Sequence, residues 1–274
     1  GRKARSPHRI AIVVVAVLAV ADVGYWLWER FGNATLRVTF LSVGQGDAAV
    51  VELPRGGVLA IDGGGFPGDF DPGERLIAPF LRSRKILHLD LVVLSHPQMD
   101  HYGGLRYLAQ SFAPDEFWSN GTGAHSATFA RLQEELAAAG TRSVVLTRGM
   151  NRALGGDVVA HVLHPDRPDD ADVNDASVVL RLTYGATAVL FTSDIEQAAE
   201  GELLLTDAVL ASDVLKVAHH GSATSSTGAW LAAVRPTIAI ISSGAGNRFG
   251  FPAPEVVRHL RAVGATVWNT ADSG

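Results

Sequence analysis

The chain contains no cysteine. Disulfides and thiolate metal ligands are therefore excluded, and any metal site must draw on His, Asp, Glu, Asn, Gln or water. The same absence leaves the redox compartment open. Positive charge is also scarce: 23 Lys and Arg stand against 28 Asp and Glu, a formal net charge of −5. That balance argues against a broadly basic surface for nucleic acid. It does not exclude nucleic acid as a substrate, because bound cations supply local positive charge. Aromatic residues make up only 7% of the chain, and no basic stripe interleaved with aromatics is present. There is no low-complexity segment, and what recurs is the order of elements, not sequence.

What is abundant is apolar surface. Of 274 residues, 47% are hydrophobic and 19% charged, enough for one large domain or two small ones around a sizeable core. The chain starts at Gly1 rather than Met and stops at Thr270-Ala271-Asp272-Ser273-Gly274, and reads as a fragment of a longer protein.

Residues Ile10 to Val20 are continuously apolar, and the stretch extends to Trp28 with breaks only at Asp22 and Gly24. That length suits a membrane span. Arg2, Lys3, Arg5 and Arg9 precede it, and Tyr25, Trp26 and Trp28 close it. Basic residues on one side and aromatics on the other predict a transmembrane helix over 10–28 with a cytoplasmic flank at 1–9. Two alternatives stand beside it: a signal peptide cleaved near Ala19-Val20-Ala21, and a buried core helix. The first two readings place the globular part outside the cytoplasm.

Residues 29–35 read as a linker, and 36–274 as one domain that is truncated at its C-terminus. Strands are expected at Leu36–Ser42, Asp47–Leu53, Val58–Ile61, Leu89–Leu94, Ser143–Leu146, Val158–Leu163, Ser177–Thr183, Ala188–Thr192, Val214–Ala218, Thr237–Ile241 and Thr266–Trp268. Helices are expected at Glu74–Arg84, from Leu105, at Ala127–Ala139, Ile195–Leu205, Gly228–Val234 and Glu255–Val263. Two sheets with helices on their outer faces satisfy this order. Arg75, Arg82, Arg84 and Lys85 form a small basic helix face that reads as solvated surface.

The chemistry concentrates where buried strands end. The run Leu89–Leu94 feeds Ser95-His96-Pro97-Gln98-Met99-Asp100-His101-Tyr102-Gly103-Gly104. Imidazole and carboxylate at such spacing are metal ligands of first choice, and carboxyl ends of strands are where α/β folds place chemistry. A polar turn with a satisfied core histidine is the ordinary alternative. Asp194 ends a second apolar strand and could bridge two metals or cap the next helix. His219-His220 end a third; adjacent rings diverge, so one is expected in a shared site and the other in support. Asp62, before three glycines, could orient a ligand or be a turn residue. Gly44-Gln45-Gly46-Asp47 reads first as a hairpin turn. His164 and Asn174 read first as structural.

These stretches resemble the metallo-β-lactamase superfamily, and more narrowly the C-terminal domain of the ComEC family of competence DNA-uptake channels. The matching runs are Phe40–Ala48, Ile61–Gly64, Leu94-Ser95-His96 through Gly104, Asn174 with Ser177, Thr192–Glu196 and Leu215–Ser222, in family order from about residue 36 to the end. The resemblance implies an α/β (α+β) fold, an αββα sandwich of two mixed sheets flanked by helices, behind one membrane helix. It implies two divalent ions, Zn or Mn, with His96, Asp100, His101, Asp194 and His220 as ligands. Asp194 would bridge them, and Asp62 and Asp47 would lie nearby. Asp100 and Asp194 would be the catalytic residues. Gln98 stands where the superfamily has His and the competence family commonly Asp, so one metal site is expected to be weak. No clear third-motif histidine is present; His164 and Asn174 are the nearest options. Ser193 replaces a common Gly.

The function implied is a nuclease that degrades one DNA strand during uptake. It would sit at the cell membrane, with the domain on the extracytoplasmic side and the rest of the channel in the same polypeptide. A secreted or anchored small-molecule (phospho)esterase is a second possibility, since a fold does not choose a reaction. A degenerate, non-catalytic domain of the channel is a third.

Overall fold

The computed structural model describes residues 7–66, 68–167 and 172–273. Arg2, Lys3 and Arg5 of the expected basic flank lie outside the described residues.

Helix α1 spans Pro7–Leu27 and continues as a π-helical turn over Trp28–Gly32. It is long and apolar enough to cross a membrane, with a mean hydropathy of 2.4 over its most apolar window and none of that window buried. Against the described residues it is therefore not packed as a core helix. The expected linker at 29–35 also begins as helix. Glu29 accepts hydrogen bonds from Arg37 Nη2 at 2.7 Å and Arg84 Nη2 at 3.1 Å, and Arg84 also reaches Glu52. The Arg84 guanidinium lies 5.4 Å from the Trp26 ring centroid, and Arg55 N–H donates to the Asn33 carbonyl. The end of α1 is thus tied to the domain. Arg84 leaves the solvated basic face that the sequence suggested because two carboxylates claim it.

The first sheet runs β1 (Arg37–Phe40), β2 (Ala49–Glu52), β3 (Val58–Ile61), β4 (Leu91–Val93), β5 (Glu116–Ser119) and β6 (Arg142–Val145), in that order. β1–β3 are antiparallel and β3–β6 parallel. The second sheet mirrors it. β7 (Asn151–Gly155), β8 (Val158–His164), β9 (Val179–Tyr184) and β10 (Thr187–Phe191) are antiparallel; β11 (Val214–Lys216), β12 (Ile238–Ile241) and β13 (Thr266–Asn269) continue in parallel from β10.

Period-two alternation explains why the strands read as unbroken apolar runs. In β3, Leu59 and Ile61 face the second sheet while Val58 and Ala60 face helices. In β10, Val189 and Phe191 face inward and Leu190 outward. The outer face of the first sheet is covered by α2 (Ala78–Ser83), α4 (Leu105–Phe112) and α5 (Ala127–Ala138), with the short α3 (Met99–Tyr102) in the histidine loop. The second is covered by α6 (Gln197–Leu204), α7 (Gly228–Val234) and α8 (Pro254–Ala262), and α9 (Thr270–Ser273) follows β13. Ser126 and Thr227 cap α5 and α7, accepting from Phe129 N–H and Trp230 N–H. The result is the expected αββα sandwich.

Two strands escape the sequence reading. β5 offers only Phe117 and Trp118 as apolar residues, one to each face. β7 is an edge strand with no buried residue. The helix expected at Glu74–Arg84 starts as a π-helical turn over Gly73–Ile77.

Candidate metal centre

The turn after β1 and the loops after β3, β4, β10 and β11 meet at one end of the sandwich. They bring Asp47, Asp62, His96, Asp100, His101, Asp194 and His220 together, and all but Asp100 are buried. Asp100, His101, Asp194 and His220 each offer a ligand atom, all within 4.8 Å of one another. Asp47, Asp62 and His101 form a second such group behind them.

Backbone strain marks the place. Asp62, Ser193, His219 and His220 all have positive φ, between 46° and 56°. Non-glycine residues adopt this conformation at a cost, and it persists where surrounding structure over-determines it. At His219 and His220 the double left-handed step turns the two rings apart. His220 goes inward, its Nδ1 donating to the Ser242 carbonyl at 2.9 Å. His219 stays at the rim, 3.0 Å from Glu196 Oε1. The Gly44–Asp47 turn is both a hairpin and part of the site. Asp47 N–H donates to the Asp100 carbonyl, and a Cβ on Gly46 (φ 133°) would collide with that oxygen.

Each inward ring is held from behind. His101 Nδ1 lies 2.9 Å from Asp62 Oδ2, and Asp62 accepts from the N–H and Oγ–H of Ser95, both at 2.8 Å. His96 Nδ1 sits 3.2 Å from Ser95 Oγ and from Ser193 Oγ. This leaves the Nε2 atoms of His96, His101 and His220, with Asp194 Oδ1 and Asp47 Oδ1, buried and without a hydrogen-bond partner. His101 Nε2 and His220 Nε2 approach Asp194 Oδ2 to 3.2 and 3.3 Å, yet neither makes a hydrogen bond. Buried orphaned donors and acceptors are costly. His101, Asp194 and His220, which carry three of the five, form one ligand group with Asp100, and a bound cation there would give them partners. The residues therefore fit a divalent metal.

Charge points the same way. Four carboxylates (Asp47, Asp62, Asp100, Asp194) face one ammonium, Lys216. Burial opposes charge on Asp194, yet the His220 and His101 rings hold its pKa well below the usual carboxylate range. Burial likewise opposes charge on those rings, but Asp194, with Asp62 at His101 and Asp47 at His220, raises both well above the ordinary histidine value. The cluster demands positive charge, and without a metal only protons can provide it. Burial and the neighbouring His101 lower His96 to about 3, which keeps its ring neutral. Burial raises Asp62.

Several expected residues fall elsewhere. Gln98 Nε2 donates to Asn174 Oδ1 at 2.6 Å, and Asn174 Nδ2 donates to Glu196 Oε1 at 3.3 Å. Gln98, Asn174 and His219 thus belong to a polar rim rather than the ligand group. His164 Nδ1 donates to the Ser177 carbonyl at 3.0 Å and is structural. Asp194 is not a helix cap; Asp175 Oδ1 instead accepts from Glu196 N–H and Ala199 N–H at the start of α6. Sequence reasoning missed Lys216, whose buried ammonium pairs with Asp47. The Lys216 and His220 charges overcome burial and hold Asp47 down at about 2. The available signal was one cation inside the apolar run Val214–Ala218, since a buried charge requires a partner.

Residues 41–245 match the Metallo-beta-lactamase superfamily. The chain belongs to that superfamily. Among curated relatives, ComE operon protein 3 of Bacillus subtilis is 31% identical over 261 residues, covering 86% of this chain and 32% of that protein. Competence protein ComA of Neisseria gonorrhoeae is 30% identical over 274 residues, covering 98% of this chain and 36% of the relative. The chain thus spans about a third of the length of the curated relatives it matches. Among solved structures, the metallo-beta-lactamase fold protein YhfI from Bacillus subtilis aligns with a TM-score of 0.53 at 15% identity, over 86% of this chain and 96% of that one. CmlA, a diiron beta-hydroxylase from Streptomyces venezuelae, aligns at 0.55 and 13%, over 85% of this chain and 52% of its own. At such identities the superfamily likeness carries over as fold. The chain is a metallo-hydrolase superfamily member with competence proteins among its relatives, and its Asp/His clusters could bind metal.

Proposed function

We propose that this domain is a metal-dependent phosphodiesterase that degrades one DNA strand during competence uptake. It would be anchored at the cell membrane by α1, with the catalytic end on the extracytoplasmic side and the remaining membrane helices of the channel in the same polypeptide. The observation that carries this reading is the convergence of Asp100, His101, Asp194 and His220, with His101 Nε2, Asp194 Oδ1 and His220 Nε2 buried and lacking hydrogen-bond partners. The competence relatives support DNA as the substrate.

Asp100, His101, Asp194 and His220 would hold one divalent ion, Zn or Mn. Asp194 and His96 would share a second, held less firmly because Gln98 offers only a neutral amide oxygen on that side, and its amide nitrogen turns to Asn174. Ions so placed supply Lewis acidity to a phosphate oxygen and lower the pKa of a bound water. The chain's own groups do the rest. Asp62, Ser95 and the Ser242 carbonyl fix the tautomer and aim of the ligating rings. Asp100, the partly exposed member with 28% of its side chain accessible, reaches solvent and would orient the attacking water. Lys216 fixes Asp47 behind the ligands.

Replacing Asp100 by Ala should abolish DNA cleavage in added Mn²⁺ or Zn²⁺. Persistent cleavage would sink the assignment. Less than one tightly bound ion in the purified protein, with no hydrolysis of single- or double-stranded DNA, would support the degenerate-domain alternative instead.

A further inference from the structure

Exposed aromatic rings are few in the domain, and four phenylalanines gather beside the candidate metal centre. A cleft of about 600 Å³ opens beside Asp100, and Phe66, Met99, Arg248 and Phe249 are among its walls. That is within the range of about 300–1,000 Å³ usual for small-ligand sites. One wall comes from the loop after β3. There Phe66 stacks on Phe70 with centroids 5.4 Å apart and planes 12° apart, and the two are 40% and 41% exposed. The other comes from the loop after β12. Phe249, 52% exposed, stacks on Phe251 at 5.5 Å and 16°, and the Arg248 guanidinium lies 4.9 Å from the Phe249 centroid. Phe251 in turn lies 6.4 Å from the His220 ring. A row of π-faces therefore leads from the ligand His220 to the rim.

The second wall is preorganised. Asn247 Oδ1 accepts from Phe249 N–H at 3.1 Å and Phe251 N–H at 3.0 Å, while its amide donates to the Phe251 and Gly244 carbonyls. Gly244 N–H donates to Gln45 Oε1, tying this loop to the turn that carries Asp47. Exposed rings from two loops lining one cleft, rather than a single ring scattered on the surface, point to a contact surface.

We infer that Phe66 and Phe249 are base-stacking platforms that seat unstacked nucleotides of single-stranded DNA on either side of the phosphate at Asp100, with Arg248 drawing the backbone. The inference rests on the phosphodiesterase reading and adds substrate selection to it. Base–aromatic stacking is tolerant of sequence, because every base has a π-face. Arg248 supplies positive charge for the phosphates on a cleft whose other charged lining residue is Asp100. A lipid chain or an apolar protein partner would meet the Asp100 carboxylate on the same cleft wall. Paired bases are already stacked within a duplex, so such platforms select single strands.

The test compares Phe66→Ala and Phe249→Ala with the unaltered protein by fluorescence anisotropy. The probes are a labelled oligothymidine and an abasic oligonucleotide of equal length, with Ca²⁺ as the only divalent ion. Each variant should bind oligothymidine about tenfold more weakly or worse, and the deficit should shrink to within about twofold on the abasic strand. Phe249→Trp should restore binding. Unchanged affinity for oligothymidine, or equal losses on both strands, overturns the inference. Both rings are exposed, and melting temperatures within about 2 °C of the unaltered protein would confirm folding. Hydrolysis of the same strands in Mn²⁺ is scored separately. Selective binding without any cleavage by the unaltered protein would defeat the phosphodiesterase reading and leave the platforms standing.

Discussion

Asp62 holds His101 by the ring nitrogen that faces away from the ligand group. Its Oδ2 lies 2.9 Å from Nδ1, while Nε2 points toward Asp194. A carboxylate in this position fixes the tautomer and raises the basicity of the ligating nitrogen. Asp62→Asn should therefore weaken Zn²⁺ or Mn²⁺ binding about 10- to 100-fold. Competition against a chelating dye measures it; unaltered affinity would show that the pair is only structural.

Metal should also stabilise the fold. Asp100, His101, Asp194 and His220 come from loops far apart in the chain and meet only in the fold, so a cation held by them binds the folded state, and saturation at 100 times Kd adds about 2.7 kcal/mol. Melting temperature should rise on adding Mn²⁺ or Zn²⁺ and fall back with EDTA. In Asp194→Asn, which removes the charge shared by both rings, that response should disappear. A metal response that survives the substitution would place the ion elsewhere.

Lys216 and Asp47 form a buried ion pair, 3% and 5% exposed. Breaking such a pair by removing one partner costs about 3–5 kcal/mol, because the other charge is left uncompensated. Lys216→Met should destabilise the domain by that order in chemical denaturation. The double variant Lys216→Met/Asp47→Asn should recover part of the loss. A double variant no better than the sum of the singles would mean that the two groups do not interact.

Glu200 is buried away from the ligand group and accepts hydrogen bonds from Ser226 N–H and Thr227 N–H at the start of α7. Burial raises its pKa above the ordinary value despite those bonds. A raised acid binds its proton more tightly folded than unfolded. Its share of stability is therefore greatest below the unfolded pKa and falls as pH rises from there to the folded pKa. In Glu200→Gln that fall should vanish from the stability–pH curve. The substitution should also cost about 1 kcal/mol at neutral pH, because an amide oxygen replaces only one of two acceptors. Parallel curves for the two proteins would refute the assignment.

Much of this was legible beforehand because burial on both faces leaves an unbroken apolar run. β3 and β4 are of that kind, and the polar residues that end them stand out. Asp62, His96 and His101 could be picked from the sequence for this reason. β7 could not, since an edge strand with no buried residue carries no hydrophobic signal. The role of Gln98 was also illegible: its partner Asn174 is 76 residues away.

From the sequence alone come the types of candidate donor, since a chain without cysteine has no thiolate to offer, and the strands that end in His and Asp. Hydrophobic periodicity and local loop chemistry are short-range properties, so a one-dimensional reading captures them. Only the tertiary structure decided which donors meet. It brought His220 inward and left His219 at the rim through two left-handed backbone steps, sent His164 to a carbonyl, and paired Lys216 with Asp47 across the sheets. It also set Phe66 and Phe249 on one cleft from loops far apart in the chain. Those choices depend on the packing of two sheets that share no local sequence, and no periodicity within either of them encodes the distance between their ends.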